Sequence, residues 1–213
     1  MFSAGALPQW ALPCRSPNII KWPRAASLES GFQERCGFVP PWLLIIVIGA
    51  AKQRIGAIMD ISKSLQDQFA PNLICFGCGP ANEKGLQIKS FVQGEKVVAS
   101  FEPKPHQLAF EGMVNGGIIG ALLDCHLNWT AAWHLMEKHS HDVPPCCVTA
   151  KYEVTFEKPT PADTRLELEA WVLESSQRKA IVDGTIGPAG DITARCRGTF
   201  VSVKPGHPAH HRW

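Results

Sequence analysis

Residues 115–139 read Asn115-Gly-Gly-Ile-Ile-Gly-Ala-Leu-Leu-Asp124-Cys-His-Leu-Asn128-Trp-Thr-Ala-Ala-Trp-His-Leu-Met-Glu-Lys-His139. Apolar residues fall on every side of this stretch rather than along one stripe, which predicts a helix buried all round. Asn115 suits the N-cap, where its side-chain oxygen can accept from the first free amides. Gly116 and Gly117 then carry bare N–H groups at the positive end of the helix dipole. Asp124 is the only acidic residue between Glu111 and Glu137. An ionisable group in a buried helix is costly unless it is paired or put to use. At about 100° per residue, Gly117, Gly120, Asp124, Asn128 and Ala131 share one face that is small and polar. Two readings of Asp124 stand on these residues: a catalytic carboxylate, or a structural one hydrogen-bonded to a neighbouring strand or subunit. A carboxylate supplied by another subunit would face the helix-start amides across a cleft.

On either side the period changes to two. Leu86–Val92 alternates, Gln93-Gly94 turns, and Lys96–Phe101 returns, which predicts a hairpin. Pro103 and Pro105 end it, and His106–Gly112 is expected to be a loop leading into the helix. After the helix, Lys138–Pro145 is polar and closes on proline. Four strands are then expected in succession: Cys146–Glu157, Arg165–Leu173, Arg178–Ile186 and Asp191–Val203. Six strands and one buried helix predict an α+β fold, with a curved antiparallel sheet wrapped around one long central helix.

Residues 1–58 differ from the rest. Prolines at 8, 13, 17, 23, 40 and 41 interrupt any period, and Trp10, Trp22 and Trp42 are scattered. This irregular extension reads as an organellar targeting segment, as a buried or membrane-surface segment at Pro41–Ala51, or as sequence ahead of a natural start at Met59. The last accounts for most, because an amphipathic helix begins directly after Met59. The folded domain is expected over 59–204, with a disordered tail at 205–213. Across 213 residues the formal charge is +2, with no basic cluster that implies nucleic acid. The longest apolar run, Trp42–Ala51, is about half the length needed to span a bilayer. The eight cysteines are not spaced like a secreted framework, which predicts reduced thiols and a cytoplasmic setting. Cys75-Phe-Gly-Cys78-Gly offers half of a zinc site. The nearest further ligand types are His134, His139, His141, Cys146 and Cys147, so the stretch reads as a tight turn with two packed thiols, and neither a metal nor another cofactor is expected.

From residue 72 to 203 the chain resembles the hotdog-fold acyl-CoA thioesterases, in particular the phenylacetate-pathway type. That family carries the pattern G-x-x-H-G-G-x-x-x-x-L-x-D at the start of its central helix. Here it reads Gly112-Met-Val-Asn115-Gly116-Gly117-Ile-Ile-Gly-Ala-Leu122-Leu-Asp124. The resemblance implies hydrolysis of an acyl-CoA thioester, with Asp124 as general base or nucleophile and the Gly116 or Gly117 amide as oxyanion donor. It implies Thr149, early in the strand after the helix, as the holder of the lytic water, and Asn128 and Gly112 as further site residues. His126 lies about 200° round the helix from its neighbour at 124 and reads as packing or interface. A homodimer or homotetramer with the site at the subunit interface is implied, with Lys151, Lys158 or Arg178 at its rim. Two departures stand out: Asn115 replaces the motif histidine and cannot relay a proton. Ala109 occupies a place often polar, which Glu111 or Gln107 would have to supply. These departures favour the alternative, a hotdog protein that binds acyl-CoA without turning it over. A third reading, a hydratase or dehydratase, would need His106 paired with a carboxylate.

Overall fold

A computed structural model describes residues 60–210. The expectations for residues 1–58, and the end of the tail at 211–213, lie outside the described residues. Ser64 caps a short helix α1 (Leu65–Phe69), its hydroxyl accepting from the Asp67 amide at 3.0 Å. The hairpin follows as β1 (Ser90–Gln93) and β2 (Lys96–Phe101), turning at Gly94 with φ +63°. A 3-10 turn (Pro105–Gln107) and a small ribbon, β3 (Leu108–Phe110) and β4 (Met113–Val114), precede helix α2 (Gly116–His139). Then come β5 (Cys147–Phe156), β6 (Leu166–Ser175), β7 (Lys179–Pro188) and β8 (Ala194–Ser202).

The six expected strands form one antiparallel sheet in the order β1-β2-β6-β7-β8-β5, and α2 contacts every one of them. A sheet around one buried helix is what the residue pattern predicts, and the arrangement is the hotdog fold that the resemblance implies. The core holds Leu122, Leu123, Leu127 and Leu135 of α2 against Leu166, Leu168, Val182, Ile186 and Phe200 of the sheet. Gly184 is where helix and sheet come closest: a Cβ there would meet the Leu127 side chain at 2.5 Å. Long-range contact of this kind sets the depth of Asp124 beneath the sheet.

Three local expectations differ from what is observed. The extended run at Leu86–Val92 is strand only from Ser90, because the amides of Leu86 and Ile88 bond to the carbonyls of Phe76 and Gly77, and Gln87 adopts φ +51°. The loop at His106–Gly112 contains the β3–β4 ribbon, too short for a period to declare it. Residues 205–210 of the expected disordered tail form turns, with the His207 amide bonded to the Lys204 carbonyl and the His210 amide to that of His207.

His126 lies wholly inside, as the packing reading of its position requires. Its Nε2 is 3.1 Å from the Val97 carbonyl and its Nδ1 is 2.9 Å from Ser90 Oγ. A carbonyl can only accept, so Nε2 carries the proton and Nδ1 accepts from the serine. Gln66 completes the chain, donating to Ser90 Oγ at 3.0 Å and accepting from the Ser90 amide at 2.8 Å. One buried polar string thus ties α1, β1, β2 and α2 together. Replacing His126 with Ala would empty this space and take a partner from both Ser90 Oγ and the Val97 carbonyl; a loss of about 3 kcal/mol is expected. Burial also holds the imidazole neutral, lowering its pKa from 6.5 to about 4. The unfolded chain therefore takes up a proton that the fold refuses as pH falls below 6.5, and stability declines from there down to about 4. That contribution, about 3 kcal/mol at the acid end, is present in full above the window. Urea midpoints at neutral and mildly acid pH check both points: His126→Ala should be weaker at neutral pH and should lose less on acidification than the parent.

Candidate active site

Helix α2 begins at Asn115, whose Oδ1 accepts from the Gly117 amide at 2.8 Å. The Asn115 carbonyl takes the amides of Ile118 and Ile119 at 3.0 and 3.1 Å. Gly117 is thus occupied by the cap, and Gly116 is the residue of the pair whose N–H finds no protein acceptor among the described residues. Gly116 borders a cavity of about 410 Å³ whose wall includes Ala109, Phe110, Phe156 and Thr160. The helix dipole and the free amide make this mouth suited to a partial negative charge.

Strand β5 runs antiparallel to one face of α2. Phe156 lies beside Gly116, with its ring 3.4 Å from where a Cβ would stand, and the Tyr152 hydroxyl is at 3.6 Å from the same point on Gly120. Further along, the Thr149 hydroxyl donates to Asp124 Oδ1 at 2.7 Å. The Asn128 amide reaches the Cys147 carbonyl at 3.4 Å and Thr149 Oγ1 at 3.5 Å. Asn128 therefore steadies Thr149 rather than Asp124. The ladder follows Gly116, Gly120, Asp124 and Asn128, an i,i+4 row; Gly117 lies off it and Ala131 is in the core. A β-bulge between Thr149 and Lys151 shifts the register of β5 against β8 beside this hydroxyl. Bulges commonly re-aim a side chain in this way.

Asp124 lines a second cavity, of about 520 Å³, together with Cys75, Cys78, Cys125, Trp129 and Cys147. Burial pushes its carboxyl above the ordinary range, the Thr149 hydroxyl pulls it back, and negative charge on Cys75 adds to the upward push. The CxxC segment is the tight turn that the sequence predicts, closed by the Gly79 amide on the Cys75 carbonyl, and a third thiol joins its two. The partner of Cys75 and Cys78 is none of the residues that the sequence nominated but Cys125, brought in by the helix, and the three sulfurs lie within 4.8 Å of one another. Its signal was present in the sequence only as a cysteine next to Asp124.

Of the remaining expected residues, Gly112 turns the β3–β4 ribbon at φ +75° and accepts the Ala162 amide through its carbonyl, without lining either cavity. Gln107 is buried and accepts the Lys104 amide at 2.8 Å, so its oxygen braces the loop, while Glu111 is exposed in the turn. His106 is exposed, and among the described residues it makes no hydrogen bond or ion pair with a carboxylate. The hydratase reading has no pair to rest on.

The thioesterase superfamily family model matches residues 111–193, the span from the turn before α2 to the start of β8. A thioesterase superfamily protein from Shewanella loihica PV-4 is 30% identical, over 59% of this chain and 98% of its own, with a TM-score of 0.48. A further thioesterase superfamily protein is 20% identical over 78% of this chain and 84% of its own, at a TM-score of 0.50. The E. coli PaaI protein from the phenylacetic acid degradation operon is 17% identical over 58% of this chain and 85% of its own, at 0.48. No curated protein matches the chain. On the family match and the first of these relatives, the chain belongs to the thioesterase superfamily. No helix among the described residues is long and apolar enough to cross a membrane.

Proposed function

We propose that this protein hydrolyses acyl-CoA thioesters, in a cytoplasmic setting, at two equivalent sites built between the subunits of a homodimer or of the dimers within a tetramer. The observation that carries the reading is the position of Asp124: held by the Thr149 hydroxyl at 2.7 Å, it faces a cavity large enough for an acyl group. Water, deprotonated by Asp124, attacks the carbonyl carbon. Alternatively Asp124 attacks it directly, and water then opens the mixed anhydride. In either course negative charge collects on the carbonyl oxygen, the C–S bond breaks, and CoA leaves as the thiol.

The donor for that oxygen is the Gly116 amide. Eight residues of helix separate it from Asp124, about 12 Å along the axis, too far to serve one carbonyl from the same chain. A second copy lying antiparallel would bring its Asp124 to the first copy's Gly116. Strand β5 favours such a pairing: it is a ten-residue edge strand bonded only to β8, and Tyr152 and Phe156 on it are 46% and 53% exposed. A long, apolar edge is a liability when left open. Phe156→Asp is expected to shift the protein toward monomer in analytical ultracentrifugation and to remove hydrolysis while Asp124 remains. Hydrolysis by a monomeric Phe156→Asp would refute the shared site.

Free-thiol release from short, medium, long and aryl acyl-CoAs tests the function itself. Release above the buffer rate is expected for at least one class. Binding of acyl-CoA with no release on any of them would leave the non-catalytic alternative, which Asn115 and Ala109 favour.

A further inference from the structure

The segment Cys75-Phe-Gly-Cys78-Gly is shaped around its sulfurs. A Cβ on Gly79 would stand 2.4 Å from the Leu73 carbonyl oxygen and 2.5 Å from the Cys75 nitrogen, so no larger residue fits the turn. The Gly79 amide closes it on the Cys75 carbonyl at 2.9 Å. A Cβ on Gly77 would stand 2.4 Å from Cys125 Sγ, so the glycine is what lets the helix sulfur reach the turn. The Trp129 indole N–H donates to Cys78 Sγ at 3.3 Å. Donors aimed at sulfur stabilise thiolates and serve as the outer shell of thiolate metal sites.

From this geometry we infer that Cys75, Cys78 and Cys125 form a binding site for a zinc-like divalent ion, with its fourth position open to the Asp124 cavity. Cys75 Sγ and Cys125 Sγ are 3.7 Å apart. A disulfide needs about 2.05 Å, whereas tetrahedral zinc with Zn–S near 2.3 Å has sulfur–sulfur edges of about 3.8 Å. All three residues line the same cavity, which leaves one position for water or another small ligand. Binding the ion would release the thiol protons. The ion would fasten the Cys75–Gly79 turn to the helix one residue beyond Asp124. The inference stands whether or not the protein hydrolyses thioesters.

The test is metal content of the full chain, purified under reductant without chelator, followed by exchange for Co(II) in the absence of air. One zinc per chain is expected, and the cobalt form should show tetrahedral d–d bands with sulfur-to-metal charge transfer. Cys75→Ser, Cys78→Ser and Cys125→Ser should each lower the bound metal at least tenfold. Cys196→Ser, and a variant with His207, His210 and His211 all changed to Ala, should keep it. Since the serine variants could unfold, the spectrum of the parent decides independently. A parent that takes up no stoichiometric Co(II), or takes it up without sulfur charge transfer, overturns the inference. So does metal lost with the tail histidines, or a chain isolated metal-free and two hydrogens lighter from a disulfide.

Discussion

Asp124→Asn is expected to lower kcat for thioester hydrolysis by about 10²- to 10⁴-fold, the range that removal of a positioned base commonly costs. The substitution keeps the shape of the side chain and can still accept the Thr149 hydroxyl, now 2.7 Å from Oδ1. Stability should therefore change little: the carboxyl is held above its ordinary range by burial, so the fold gains nothing from its charge. Circular dichroism and urea midpoints equal to those of the parent, with thiol release reduced to the stated degree, are the expected pair of results. A variant that hydrolyses within a factor of about three of the parent would remove Asp124 from the reaction; so small a change is about 0.7 kcal/mol of barrier. One further measurement bears on the two chemical courses. Label in the Asp124 carboxyl after a single turnover in ¹⁸O-labelled water establishes direct attack, with water opening the anhydride at the Asp124 carbon; label only in the released acid excludes that route and leaves general-base attack or opening at the acyl carbon.

Gly116→Pro is expected to remove the oxyanion donor and little else. Proline suits the first position of a helix, where its fixed φ is already helical. The residue before it must be extended, and Asn115 is, at φ −64° and ψ 133°. The nearest atom to a Cβ at Gly116 is the Phe156 ring at 3.4 Å, an ordinary contact. Only the N–H is lost, and one such donor is worth about 3 kcal/mol in the transition state. The expected fall in kcat is about 10²-fold or slightly more, with KM for the acyl-CoA nearly unchanged. Mixing this variant with Asp124→Asn under conditions that exchange subunits gives the sharper result. In a two-fold dimer each hybrid has one site carrying both changes and one carrying neither. Activity near a quarter of the parent's is then expected on statistical mixing, from two nearly inactive proteins. No recovery, with hybrids demonstrated by mass, would mean that amide and carboxylate do not meet across the interface.

The sequence by itself determined the central helix, its N-cap and the six strands, because caps and periodicity are written within a few residues of where they act. Asn115 is followed by its capped amide, Lys96–Phe101 alternates over its own length, and one carboxylate in an apolar helix announces its own cost. Asp124 was thereby marked, and His126 was placed on the opposite face by helical rotation alone. What neighbours these residues acquire depended on contacts distant in the chain. Only the tertiary structure chose between Gly116 and Gly117, since the Asn115 side chain takes one amide and leaves the other. It brought Thr149 to Asp124 through a bulge in β5 that no pattern announces, and it turned Asn128 toward Thr149. It joined Cys125 to a turn 50 residues earlier, where sequence spacing had pointed to other ligands. The physical reason is common to all of these: a local pattern sets an element and its buried face, while packing between elements decides which atoms meet.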